Sequence, residues 1–287
     1  MPATTDRCAR GGPPQLSRRQ RPRRELAVEE TILGTRVHPS NYADATGRIL
    51  GWASRSESRY VCVANVHMLM EAHDDPTFRD VVNGADFVTS DGMPLVWLLR
   101  ARGYKSAERV YGPDLTPAIC SAAATAGIPV GFFGGEDSVR IAMVDRLRER
   151  FPTLDVVYSY SPPFRPLSAE EEAEIVNDIN ASGARILFVG LGCPKQERWM
   201  ARHVGRVDAV MIGVGAAFDF IAGTKPKAPP ALQRFGLEWL FRLACEPRRL
   251  WRRYLYHNPR FVVLAAAELI RSRTGRGPAV VGNHPGY

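Results

Sequence analysis

The chain has 287 residues, 45% of them hydrophobic and 24% charged, with a formal net charge of +8. That length and composition suit one large α/β domain with appendages and exclude a fibrous or wholly disordered chain. Its five cysteines (Cys8, Cys62, Cys120, Cys193, Cys245) are scattered and form no CxxC pair, which excludes a disulfide framework or cysteine zinc site and points to reduced thiols in a cytosolic protein.

The charge is unevenly placed. Residues 1–24 carry seven Arg and one acid, residues 234–287 carry ten Arg and three Glu, and the body between them holds 21 basic and 26 acidic residues, or −5. Basic ends on an acidic body suggest a polyanionic partner: nucleic acid, anionic lipid or phosphate groups. Residues 1–24 have almost no large apolar side chains with which to offset ordering entropy. A disordered Arg-rich tail is therefore expected over 1–28. It lacks the apolar core of a secretion signal.

From residue 30, apolar runs at 31–37, 60–64, 86–90, 129–133, 154–159, 185–190 and 208–213 read as strands. Amphipathic stretches at 40–54, 66–73, 76–83, 94–102, 113–126, 136–150, 168–181 and 195–204 read as helices, with several more after 230. Ser168 ahead of Glu170 to Glu172 marks a helix start, as does Pro113-Asp114. The alternation predicts an α/β fold: a Rossmann-like parallel sheet with helices on both faces. Such sheets bind ligands beyond the carboxyl ends of their strands, so the loops after the strands are the places to search. The catalytic domain is set at 29–233, a basic amphipathic C-terminal appendage at 234–275, and a disordered tail at 276–287.

Four of those loops carry candidate chemistry. In "VANVHMLMEAH" (63–73), Asn65 follows a strand, where its amide either caps the helix or meets a substrate hydroxyl. His67 nearby reads as a structural histidine. In "ADFVTSDGMPLVW" (85–97), Asp91 either caps the helix opened by Pro94 or accepts a proton; local sequence favours the cap. In "ERVYGPDL" (108–115), Arg109 either grips an anion bidentately or pairs with a surface carboxylate. In "LFVGLGCPKQERWM" (187–200), Gly190 and Gly192 allow close backbone approach ahead of a helix N-terminus. Gly134 in "GFFGGEDS" and the run "IGVGAAFDFIAG" repeat the device, and three such loops in one sheet favour a nucleotide diphosphate. None is GxGxxG or a Walker loop. The chain contains no Asp-x-Asp, and its six histidines include no pair at helical ligand spacing, so no metal is expected.

After residue 234, "RFGLEWLFRLACEPRRLWRRYLYHNPRFVVLAAAELIRSR" mixes aromatic and aliphatic residues with Arg. Trp239, Phe241, Leu243, Leu250, Trp251, Tyr254 and Leu255 are placed to cover apolar surface, and Arg242, Arg248, Arg249, Arg252 and Arg253 to face phosphates. The equal alternative is a helical pair packed on the sheet with a solvated Arg face. The run 261–270 is about half of the ~20 residues that span a bilayer.

The ordered set "NVHML", "ADFVTSDGMPLVW", "RVYGPDL", "GFFGG", "GLGCPKQE", "GAAFDFIAG" and "GLEWLFRL…EPRRLWRRYL" resembles the WecG/TagA/CpsF glycosyltransferases over roughly 30–270. The resemblance implies inverting, metal-independent transfer of a hexose-type sugar from a UDP-sugar donor to an undecaprenyl-diphosphate-linked sugar. The products would be exopolysaccharide, capsule or teichoic-acid-type polymers. It also implies a Rossmann-like core with a membrane-associating C-terminal appendage, a cytoplasmic protein peripheral at the inner face of the cell membrane, and no cofactor. Asp91 then stands at the position of the catalytic base, Asn65, Arg109 and Gln196 line the sugar pocket, and Asp219 meets the nucleotide. Arg242, Arg249 and Arg252 face the diphosphate. Lys227 remains from the basic pair usual before Ala228-Pro229, and Val63 stands where many members carry Thr. Against this stand two rivals, a nucleic-acid-binding protein using both Arg-rich ends and a nucleotide-dependent oxidoreductase. The acidic body and the three Gly loops disfavour the first, and the absence of GxGxxG the second. Oligomers are compatible with the sequence.

Overall fold

The computed structural model describes residues 28–273; the tails expected over 1–28 and 276–287 lie, apart from Val28, outside that range. The chain opens with a hairpin of β1 (Glu30–Ile32) and β2 (Thr35–Val37). One continuous strand over 31–37 was expected. Leu33 and Gly34 both take positive φ, 50° and 80°, the pair of left-handed residues that a tight hairpin turn requires. His38 then ties the hairpin to the main sheet: its N–H donates to Val88 O at 2.8 Å and its Nδ1 accepts from Val88 N at 3.0 Å.

Next come α1 (Tyr42–Ser54), β3 (Arg59–Ala64), α2 (Val66–Asp74), α3 (Pro76–Asn83), β4 (Phe87–Ser90), α4 (Met93–Ala101) and α5 (Gly112–Ala126). They are followed by β5 (Val130–Gly134), α6 (Asp137–Arg150), β6 (Val156–Tyr160), α7 (Ala169–Ser182), β7 (Ile186–Gly190), α8 (Lys195–His203) and β8 (Val210–Gly213). Side-chain caps start several helices: Asn41 accepts from Asp44 N, Asn65 from Met68 N, Asp75 from Phe78 N, and Ser168 forms a full capping box with Glu171. Strands β3 to β8 form one six-stranded parallel sheet in the order β4-β3-β8-β7-β5-β6. This is the Rossmann-like α/β sheet expected.

Because alternate strand residues point to opposite faces, β3 splits its apolar run between two cores. Val61 and Val63 join Phe132, Phe188 and Ile212 against α1, α5, α6 and the short α9 (Ala217–Ala222), which had not been anticipated. Cys62 and Ala64 join Phe133, Leu187, Val189 and Met211 against α2, α3, α7 and α8. The helix after β3 and the helix after β8 thus lie on opposite faces although the strands are neighbours. Their loops diverge and leave a crevice at the carboxyl edge.

The chain ends in α10 (Pro230–Arg234), α11 (Glu238–Cys245) and α12 (Pro247–Arg273). Leu250, Tyr254, His257, Phe261 and Ala265 form the buried stripe of α12, and Phe261 and Ala265 enter the core cluster beside α2. Burying Phe261 alone contributes about 2–3 kcal/mol. Arg260 adds a bidentate link to Asp74 at 2.7 and 2.8 Å, and Glu268 accepts from Leu33 N at 3.0 Å. Trp251, expected to cover apolar surface, points outward at 46% exposure because it falls off the buried stripe, and Leu255, expected to do the same and 59% exposed, stands on the wall of the cavity described below. No helix among the described residues is long and apolar enough to cross a membrane.

Gly134 and Gly190 are register partners at the ends of β5 and β7. A Cβ on Gly134 (φ +107°) would sit 2.8 Å from the Gly190 carbonyl carbon, and one on Gly190 would sit 2.8 Å from the Phe218 ring. Backbone cannot yield there as a side chain can. Gly134→Ala is expected to destabilise the fold by about 2 kcal/mol or more, from φ strain plus overpacking. An unchanged urea midpoint would contradict this packing.

Candidate functional site

The ends of β3 and β4, the coil before α5, and the helices α10 to α12 together enclose a cavity of about 490 Å³. Asp91 follows β4, with its N–H donating to Ala64 O at 2.7 Å. The helix cap favoured by local sequence is not formed. Gly92 occupies the N-cap position of α4 and no side chain caps it, so the Asp91 carboxyl is left for the cavity wall. Burial pushes that carboxyl up to about 7, against the pull of Arg109 and with a further push from Glu238.

Arg109 holds the centre. Its Nε donates to Asp91 O at 2.5 Å, Nη2 to Glu238 Oε2 at 2.6 Å and Nη1 to Gln233 Oε1 at 3.2 Å. Nη2 also lies 3.4 Å from Asp91 Oδ1, and the guanidinium sits 3.9 Å from the centre of the Tyr111 ring. The partners are thus a strand end of the core and α11 of the appendage, so one side chain joins both walls. Asn65, also on the wall, is a true helix cap: Oδ1 accepts from Met68 N at 3.2 Å. Its Nδ2 has no partner among the described residues, which leaves two donors for a ligand.

Two more guanidiniums, Arg242 on α11 and Arg253 on α12, line the cavity. Neither has a carboxylate partner among the described residues; Arg242 lies over the Phe220 ring at 5.4 Å. Arg249 and Arg252 are placed elsewhere. Arg249 is exposed and donates to Glu246 at 2.5 Å, and Arg252 is exposed and stacks on Trp251.

The other expected residues do not line this cavity. Gln196 is buried at the end of β8, where Oε1 accepts from Gly192 N at 3.2 Å and Nε2 donates to Glu197 Oε1 at 2.7 Å. Burial pushes the Glu197 carboxyl up to about 7, and that Gln196 bond opposes the shift. Gly134 and Gly190 pack on each other and on Phe218, while Gly192 faces open space. Asp219 pairs with Lys225 at 3.2 Å, and Lys227 pairs with Asp114 at 2.9 Å. The four cysteines within the described range are free thiols.

Sequence reasoning missed Glu238, Tyr111 and the placement of Arg253. The signal for Arg253 was present in the helical period: it adjoins the stripe of Leu250, Tyr254 and His257, whereas Arg252 lies outside it. Beside Arg253, burial pushes the His67 imidazole down to about 3, aided by the charges of Arg253 and His257.

Chemically, the cavity combines a carboxyl that titrates near neutrality with two unpaired cations and a free amide. That set is chemically able to take a proton from a hydroxyl and to hold an anion. The Asp91 carboxyl is raised in the folded state, so its stabilising effect is full at low pH and is lost as pH rises through about 7. Asp91→Asn should therefore gain on the wild type by on the order of a few kcal/mol in urea unfolding between about pH 4 and pH 8. A difference that ignores pH would contradict the buried placement.

Residues 30–275 match the model of the Glycosyl transferase WecG/TagA/CpsF family, and the chain belongs to that family. It is a glycosyltransferase of the kind that builds cell-surface polysaccharides.

Proposed function

We propose that the chain is an inverting, metal-independent transferase. It moves a hexose-type sugar (N-acetylmannosamine, its uronate or glucose) from a UDP-sugar to an undecaprenyl-diphosphate-linked sugar. The observation that carries this reading is the Asp91 carboxyl, raised to about 7 on the wall of a cavity that also holds the unpaired Arg242 and Arg253.

An inverting transfer is one in-line displacement at the anomeric carbon. The acceptor hydroxyl attacks, its proton passes to Asp91, and the bond from the sugar to the UDP oxygen breaks. A base with a pKa near the working pH is best matched to that proton transfer. The departing diphosphate gains negative charge, and guanidiniums already fixed in the cavity receive it without reorganising. Arg109 orients Asp91 through its main-chain and side-chain contacts, and the free Nδ2 of Asn65 suits a sugar hydroxyl.

The acceptor would be membrane-bound, and α12 has a surface that suits an interface. Trp251, Leu255, Val262 and Ile270 are exposed along it, with Arg248, Arg249 and Arg252 exposed nearby. Apolar side chains mixed with Arg on an exposed helix support a peripheral position on an anionic membrane, here the inner face of the cell membrane.

A donor screen with a lipid-diphosphate acceptor should show UDP release from one donor at a rate unchanged by added Mg2+ or Mn2+. Strict dependence on either ion would refute the scheme. Asp91→Asn should lose about 10²–10⁴-fold in kcat while UDP affinity holds, and wild-type kcat/KM should rise with pH to a plateau above about 7. Replacing Arg242 and Arg253 together by Gln should cost about 10²-fold or more in kcat. Full turnover by that double variant would mean that other groups receive the charge.

A further inference from the structure

The seam between the core and the appendage holds a second cluster, one member of which, His67, also lines the cavity, and to which the proposed transfer assigns no role. His67 lies in the first turn of α2, Glu71 one turn later, and His257 midway along α12. Glu71 Oε1 stands 3.6 Å from His67 Nδ1 and 3.4 Å from His257 Nε2. One donor atom from each of the three lies within 4.8 Å of the others. The two rings are 5.2 Å apart and tilted by 47°.

These separations are longer than ordinary hydrogen bonds of roughly 2.7–3.2 Å. The two Glu71 separations are close to the roughly 3.3 Å between donors set 2.0–2.1 Å from a tetrahedral ion. His67 Nδ1, the atom that faces Glu71, is buried with no hydrogen-bond partner among the described residues. Polar atoms gathered about one point, and not bonded to each other, cost stability unless something occupies that point.

We infer that His67, Glu71 and His257 bind a transition-metal ion of the Zn2+ class that fastens α12 to α2. Two imidazole nitrogens and one carboxylate oxygen are a donor set of that class, with the remaining position left to water. Glu71 supplies the negative charge that lets a cation sit close to Arg253. The bidentate Arg260–Asp74 link, one turn further along both helices, holds the two helices in register, so the donors are brought together before an ion arrives. The absence of a His pair at helical spacing does not forbid the site: His67 and Glu71 supply an i, i+4 pair, and the third donor comes from far along the chain. The inference goes beyond the transfer reaction, since the ion acts as a fastener between α2 and α12 and takes no part in the displacement.

The test uses the full-length protein, stripped with a chelator and then titrated with Co2+ by visible absorption and with Zn2+ by calorimetry. One Co2+ per chain should bind with d–d bands of nitrogen and oxygen ligation, Zn2+ should displace it, and the bound ion should raise the melting temperature. Glu71→Gln and His257→Asn should each weaken Zn2+ binding by more than the roughly 10–100-fold that outer-shell changes cost, while His73→Asn keeps it. Circular dichroism separates lost binding from lost folding in the variants. Wild-type protein without a Co2+ band, or folded variants of unchanged affinity, would overturn the site. The readout is metal occupancy, so its failure is distinct from failure of the transferase reading.

Discussion

The contact of α12 with α2 is the constraint on which the rest of the site depends. One wall of the cavity comes from strand ends that the sheet places, and the other from helices that have no sheet of their own. Phe261 and Ala265 enter the core beside α2, Arg260 clasps Asp74, and Glu268 reaches Leu33 on the hairpin. Apolar burial supplies most of the adhesion and the polar links set the register, since partly exposed ion pairs contribute roughly 1 kcal/mol or less. Without that register, Arg242, Arg253 and Glu238 would not face Asp91. The same helix divides its surface by period: the stripe at 250, 254, 257, 261 and 265 is buried, Trp251 and Ile270 lie outward, and the exposed Leu255 and Val262 also line the cavity. One helix thus completes the cavity and presents the apolar and basic surface on which the membrane proposal rests.

Charge inside the cavity follows from the same closure. Arg109 meets two carboxyl groups, Asp91 from the core and Glu238 from α11, and both are largely shielded from water. Taking two like charges out of water around one cation disfavours the second charge. Burial raises the Asp91 carboxyl and the Glu238 charge adds to the rise, while Glu238 makes the shorter contact with Arg109. Removal of the appendage would expose Asp91 to solvent and withdraw the Glu238 charge, so the basicity of the proposed catalyst is a property of the closed arrangement.

Much of the fold was legible because parallel strands buried on both faces must read as continuous apolar runs, as "RYVCVA" and "ILFVG" do. Helix starts were legible wherever a side chain caps the backbone, as at Ser168. The hairpin was hidden because its turn is Leu33-Gly34, and Leu is an uncommon residue at positive φ. Asp91 shows the limit of local reasoning. The motif fits a cap, but the backbone turns one residue later, at Gly92, and tertiary burial decides the role of the carboxyl. Arg253 was distinguishable from Arg252 only through the phase of the buried stripe. Glu238 and His257 were beyond reach, because their partners Arg109 and Glu71 are far away in sequence and meet them only when α11 and α12 pack.

The proposed use of fixed cations draws support from which oxygens the cavity offers. Its lining carboxylates are Asp91 and Glu238, and Arg109 contacts both. A hard divalent ion on a leaving diphosphate takes several oxygen ligands, usually one or two carboxylates among them. Here an ion would have to displace Arg109 from Glu238 or engage the group assigned to the acceptor proton. Arg242 and Arg253 need no such exchange, since they already line the cavity without carboxylate partners. A guanidinium also offers paired N–H donors that match phosphate oxygens and stays charged when partly buried. The donor set at His67, Glu71 and His257 differs in kind: imidazole nitrogen favours a borderline metal over magnesium, and its place is the helix seam. An ion there and a transfer reaction free of a diphosphate-bound metal are therefore compatible, because they call on different ligands for different work.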